Sequence, residues 1–146
     1  MYAETRRDAL NLASELSYDL LIGGQGIIFR AYEPLKTFEI GINGQRFCNE
    51  WRFFFLREEE VAFGYYWSGL DDLSFPYLTD DAFSLVKETA KRISENTNFF
   101  VIDIAEKESG GWVVVEINDG GTSGLSMIDP DYFYRNLSES MKKFEL

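Results

Sequence analysis

The sequence predicts an α+β fold, an antiparallel β-sheet with covering helices, and three observations lead there. Residues 47–56 and 61–67 are dense in Phe, Tyr, Trp and Val and are joined by a charged turn. Residues 99–106 and 112–118 form a second such pair around Ser109-Gly110-Gly111. Segments with helical spacing of apolar residues flank these pairs. The chain has 146 residues, 45% of them hydrophobic and 16% aromatic, which is material for one core and one domain over residues 1–146.

Taken in order, residues 8–18 are predicted as a short helix, since Ala9, Leu12, Ala13 and Leu16 share a face. Gly23-Gly24-Gln25-Gly26 breaks the chain, and residues 27–32 are predicted as a strand interrupted at Pro34. Residues 37–40 make a second strand, with Asn43-Gly44 as its tight hairpin turn. The turn between the two aromatic strands, Arg57-Glu58-Glu59-Glu60, is expected to be solvated. The aromatic wealth of residues 51–66 is assigned to the core ahead of a base-stacking platform. Residues 71–78 read as a loop. Asp80 or Asp81 caps a helix reaching Ser94, with Phe83, Val86, Ala90 and Ile93 on one face. Asp129-Pro130-Asp131 opens a last helix from residue 132 to about residue 144.

Composition removes whole classes of chemistry. Fourteen basic against 25 acidic residues give a net charge of −11, the wrong sign for docking on a nucleic-acid backbone. No histidine is present, which excludes a Ser-His-Asp triad, a Cys-His dyad and His-ligated zinc. A single cysteine, Cys48, excludes an internal disulfide and any multi-cysteine metal site. No apolar run approaches the length of a membrane span, and the polar first residues lack a signal peptide's apolar stretch. The expectation is a soluble, cytoplasmic protein without membrane or nucleic-acid partners. Acid–base groups must come from Asp, Glu, Lys or Tyr, and any metal would be a hard, oxygen-ligated cation.

The most informative stretch is the acidic hairpin. Side chains alternate along a strand, so Glu116 and Asn118 point to the same face. A turn centred on Ser109 and Gly110 sets Asp103 opposite Val115 or Glu116. Three oxygen-bearing side chains can then cluster inside otherwise apolar strands, where burial calls for a compensating positive charge. A Mg²⁺ held by carboxylates and substrate phosphates supplies it. The plainer alternative is that Glu116 pairs with an arginine, Asn118 starts the turn and Asp103 is solvated.

Asp103 on one strand, Glu116-Ile117-Asn118 on the next and a following Gly-rich loop resemble the metal-binding end of the ATP-grasp fold. More narrowly, the chain resembles the ATP-grasp clade named for two arginines and one lysine. The resemblance runs from about residue 8 to residue 137. Its motifs are Phe29-Arg30-Ala31-Tyr32-Glu33-Pro34-Leu35, Asn49-Glu50-Trp51-Arg52-Phe53-Phe54, Phe100-Val101-Ile102-Asp103-Ile104-Ala105 and Val114-Val115-Glu116-Ile117-Asn118-Asp119-Gly120, closed by Ser123-Gly124-Leu125. It implies the C-terminal lobe of that fold, with ATP and Mg²⁺ as cofactors. Asp103, Glu116 and Asn118 would hold Mg²⁺ against the nucleotide phosphates.

The resemblance also implies that Arg52 contacts a phosphate or acyl phosphate, the alternative being a cross-strand pair with Glu50. Arg30 would be the clade's other arginine, meeting a ligand phosphate or a carboxylate such as Glu116. Glu33 would bind ribose in the segment linking two lobes, unless it is a solvated loop residue before Pro34. Glu39 is a weaker candidate for the same ribose role. Gly120-Gly121-Thr122-Ser123-Gly124 allows close backbone approach to a ligand or a flexible connection. It lacks the Gly-Lys-Ser/Thr ending of a Walker A loop.

ATP-grasp enzymes carry a phosphate-binding lysine on a smaller lobe, expected ahead of residues 8–18. The first lysine here is Lys36. The N-terminal lobe is thus expected to be incomplete, as in a piece of a longer chain, one half of a split enzyme or a free-standing binding remnant. Two functions follow as expectations. One is the nucleotide-binding portion of an ATP-dependent carboxylate–amine ligase, with a small-molecule or peptide carboxylate as substrate and with a split-enzyme partner. The other is a non-catalytic binding module acting as a homodimer or with a protein partner.

Overall fold

A strand exists only where a neighbour satisfies its backbone donors and acceptors, and this requirement separates the two units of the chain. The computed structural model describes residues 3–20, 24, 26–67 and 77–144. It divides into Met1–Glu33 and Pro34–Leu146. In the first unit, α1 spans Arg6–Ser17, with Thr5 and Asp8 forming a reciprocal capping box at its start. The predicted face of Ala9, Leu12, Ala13 and Leu16 is half-buried, while the residues between are exposed. Gly23 and Gln25 of the predicted breaker lie outside the described residues.

The strand expected at residues 27–32 does not form: residues 26–34 are neither helix nor strand. Ile28 is 88% exposed and Phe29 is 56% exposed. Apolar composition gave that segment strand propensity, but no described strand pairs with it, and propensity without a ladder is not enough. Arg30 is accordingly not a mid-strand residue.

The second unit contains β1 (Thr37–Ile40), β2 (Arg46–Cys48), β3 (Glu50–Leu56), β4 (Glu59–Tyr65), α2 (Asp80–Ile93), β5 (Phe99–Glu106), β6 (Trp112–Asp119) and α3 (Pro130–Lys143). β1 and β2 form the expected hairpin, turning at Asn43-Gly44 with Gly44 at φ +74°, a region that favours glycine. The strand predicted over residues 47–56 divides at Asn49 and serves two sheets. Asn49 is fully buried. Its amide donates to the Glu106 carboxylate and the Tyr77 carbonyl and accepts from the Trp51 indole, which fixes the bend. Residues 71–76 of the predicted loop lie outside the described residues, and Tyr77 and Leu78 have no regular structure.

The four-stranded sheet runs β4-β3-β5-β6, antiparallel throughout. One face sets Phe53, Phe55, Phe100, Ile102 and Ile104 against Ala82, Val86 and Ala90 of α2. The other packs Phe54, Leu56 and Val101 against Ile128 and the α3 residue Phe133. Each large side chain buried in this way contributes about 1.5–3 kcal/mol. α2 is preceded by Thr79, one residue before the expected caps, and the Thr79 hydroxyl accepts from the Trp112 indole. α3 starts at Asp129 as its sequence indicates, the carboxylate accepting from the Tyr132 amide at 2.7 Å. The acidic turn is not fully solvated. Glu59 opens β4, and its carboxylate accepts from Ser140 and Lys143, because α3 crosses that end of the strand.

Candidate functional site

Alternation along β3 sends Glu50 and Arg52 to the same face as Phe54, the face covered by α3. Arg52 is the register partner of Asp103, Asp103 of Glu116, and Val101 of Asn118. Asp103, Glu116 and Asn118 therefore share a face, on two neighbouring strands. A bulge between Asp103 and Ile104 leaves Val115 over and makes Glu116 the partner, where the sequence allowed either residue.

Arg52 and Asp103 lie at the centre, 7% and 1% exposed. Arg52 Nε donates to Asp103 Oδ1 at 2.8 Å and Nη2 to Oδ2 at 2.7 Å. Nη1 donates to the Gly124 carbonyl at 2.8 Å. The Tyr66 ring lies against the guanidinium, 4.7 Å from its centroid to Cζ. Arg52 thus pairs with Asp103, where the sequence weighed Glu50 or a phosphate. The hydrogen bonds that Arg52 donates to Asp103 raise its pKa above the ordinary value, against the opposing effect of burial.

Glu50 is buried beside this pair, and its pKa is pushed up to about 7. Desolvation is the main cause, followed by the negative charge of Asp103, with Arg52 acting in the opposite direction and Glu116 adding to the rise. The Trp67 indole lies close enough to lower it slightly. Trp67 Nε1 nevertheless finds no acceptor in hydrogen-bonding geometry among the described residues.

Glu116 is exposed and Asn118 half-buried on β6, an outer strand of the sheet. Carboxylate and amide oxygens suit a hard cation that takes its remaining ligands from water and substrate. Both oxygens of Asp103 already accept from Arg52. Among the described residues, no three His, Cys, Asp or Glu side chains stand close enough to hold a metal by themselves. The residues present fit a Mg²⁺ shared with a ligand, not a closed protein cage.

The other predicted residues lie on other segments of the chain. Glu39 is exposed on β1, opposite Phe47 in the two-stranded sheet. Arg30 and Glu33 are exposed residues of the first unit. The Gly-rich segment is a structured loop: Asp119 accepts from the Gly121 amide and, through its carbonyl, from Ser123. Gly120 is required by packing, since a Cβ there would meet the Phe99 ring at 2.7 Å. Lys36, noted in the sequence only as the first lysine, donates to Glu106 at 3.1 Å and to Tyr77.

Sequence reasoning missed Tyr66 and the Gly124 carbonyl as partners of Arg52. Alternation could have found Tyr66, since its amide bonds the Glu50 carbonyl and Gly64 faces Arg52 across β3–β4. A backbone carbonyl carries no sequence signal.

No curated protein and no solved structure is detectably similar to the chain. The family model that matches residues 6–137 describes an ATP-grasp domain, family 3 of the clade named for two arginines and one lysine. That span contains α1, the four-stranded sheet and the whole Arg52–Asp103–Glu116–Asn118 face, and the chain belongs to this family of the ATP-grasp superfamily.

Proposed function

We propose that the chain is the ATP- and Mg²⁺-binding portion of an ATP-dependent carboxylate–amine ligase. The observation that carries this reading is the gathering of Arg52, Asp103, Glu116 and Asn118 on one sheet face. In such a reaction a substrate carboxylate oxygen attacks the γ-phosphorus and ADP departs. An amine then displaces phosphate from the acyl phosphate and loses a proton, leaving an amide. Bound Mg²⁺ supplies charge neutralisation on the phosphates. Glu116 and Asn118 offer the oxygens that would hold it. Arg52 offers N–H donors, fixed in direction, to the transferring phosphoryl oxygens. Arg30 is proposed for a phosphate contact and Glu33 for a ribose contact, with Glu39 as a second ribose candidate.

Family membership supports nucleotide binding in general terms. A second reading, a non-catalytic module acting as a homodimer or with a protein partner, draws on a specific observation. Lys36 is tied to Glu106 and Tyr77, within the second unit.

Calorimetry with ATP, with and without Mg²⁺, separates the two. The ligase reading expects saturable, Mg²⁺-dependent binding by the wild type and a loss of about tenfold or more in Glu116→Ala. Flat isotherms for both proteins would remove the nucleotide site and leave the binding module. No helix among the described residues is long and apolar enough to cross a membrane.

A further inference from the structure

A guanidinium has five N–H donors. In Arg52, Nε and one N–H of Nη2 go to Asp103, and one N–H of Nη1 goes to Gly124. Among the described residues each terminal nitrogen therefore keeps one N–H, a donor available to an oxyanion. Asp103 fixes the opposite edge of the fork, Gly124 one corner and Tyr66 one flat side. We propose that Asp103 is the positioning residue of Arg52, and that a cation on this face takes its protein oxygens from Glu116 and Asn118. The proposal rests on the nucleotide-binding reading above. It departs from the role that family resemblance gives Asp103, which is that of a metal ligand.

Three observations support it. Both Asp103 oxygens accept charge-assisted bonds, so a cation using either oxygen would share it with a guanidinium of like charge. Asp103 is 1% exposed, whereas Glu116 is exposed on an outer strand. Transferring Asp103 to a metal would also leave Arg52, itself buried, without its counter-charge.

The test is the factor by which Mg²⁺ strengthens ATP binding, measured as the ratio of the dissociation constants in EDTA and in Mg²⁺. A metal ligand changes that ratio. A residue that only orients Arg52 weakens ATP equally under both conditions. Asp103→Asn is expected to weaken ATP by about tenfold with and without Mg²⁺, keeping the wild-type ratio, while Glu116→Gln brings the ratio close to one.

Because Asp103→Asn leaves a buried arginine uncompensated, the apolar pair Arg52→Met/Asp103→Leu is measured beside it. It too is expected to keep the ratio. Collapse of the ratio in either Asp103 variant, as in Glu116→Gln, would overturn the proposal while leaving the nucleotide reading intact. A wild type that binds no ATP under either condition would overturn both. A wild type that binds ATP with no Mg²⁺ effect would overturn the cation assignment.

Discussion

Arg52 shows how far a residue's chemistry can be read without coordinates. An arginine inside an aromatic strand must have a partner, and alternation places that partner on the face of Glu50. Strand registration then decides among the carboxylates, and it selects Asp103 because β5 lies directly beside β3. Nothing local to residues 49–54 encodes that neighbour. The crowding has a consequence for Glu50, whose ordinary pKa of 4.5 is raised to about 7 by burial and by Asp103. The unfolded chain loses this proton near pH 4.5 and the folded chain keeps it until about pH 7. The resulting stabilisation is fully present below pH 4.5 and is lost as pH rises through 7. Urea unfolding across this window should show a decline of about 1–3 kcal/mol in the wild type. Glu50→Gln should flatten that decline; an unchanged profile in the variant would mean that Glu50 titrates normally.

Among the elements, α2, α3 and the β5–β6 pair were legible because their periods agreed with their packing, and α3 also because its Asp129 cap did. The two failures share a cause. Residues 27–32 have strand composition but no described strand beside them, and residues 47–56 are continuous in composition but are shared between two sheets. Pairing is non-local, and the signal for the second case is the polar Asn49 at the junction. Asn49 holds the junction through Glu106, Tyr77 and Trp51, while its backbone bonds Lys36 and Glu106. Asn49→Ala would leave the Trp51 N–H without its acceptor and take from Glu106 Oε2 its Asn49 donor, a cost of about 2–4 kcal/mol. Urea unfolding should report that loss. Amide exchange should accelerate more in β1 and β2 than in β3 and β5; uniform acceleration would show that Asn49 does not act as a local joint.

For the whole second unit, function and stability divide the sheet between them. One face is apolar against α2, and the other is apolar only where Ile128 and α3 cover it. On the remainder of that face, Asp103 and Glu116 stand against one guanidinium, beside a Glu50 that keeps its proton until about pH 7. This excess of negative charge in a chain of net charge −11 favours a cation, and through it a phosphate group, over a bare polyanion. The face was legible in outline from Asp103, Glu116 and Asn118, and the pairing of Asp103 with Arg52 was not. Paramagnetic broadening of backbone amide signals by Mn²⁺·ATP tests the shared face most directly. The account predicts that broadening begins at residues 116–119 and 101–103 and spares α2, while broadening centred on α2 or on the β1–β2 hairpin would contradict it.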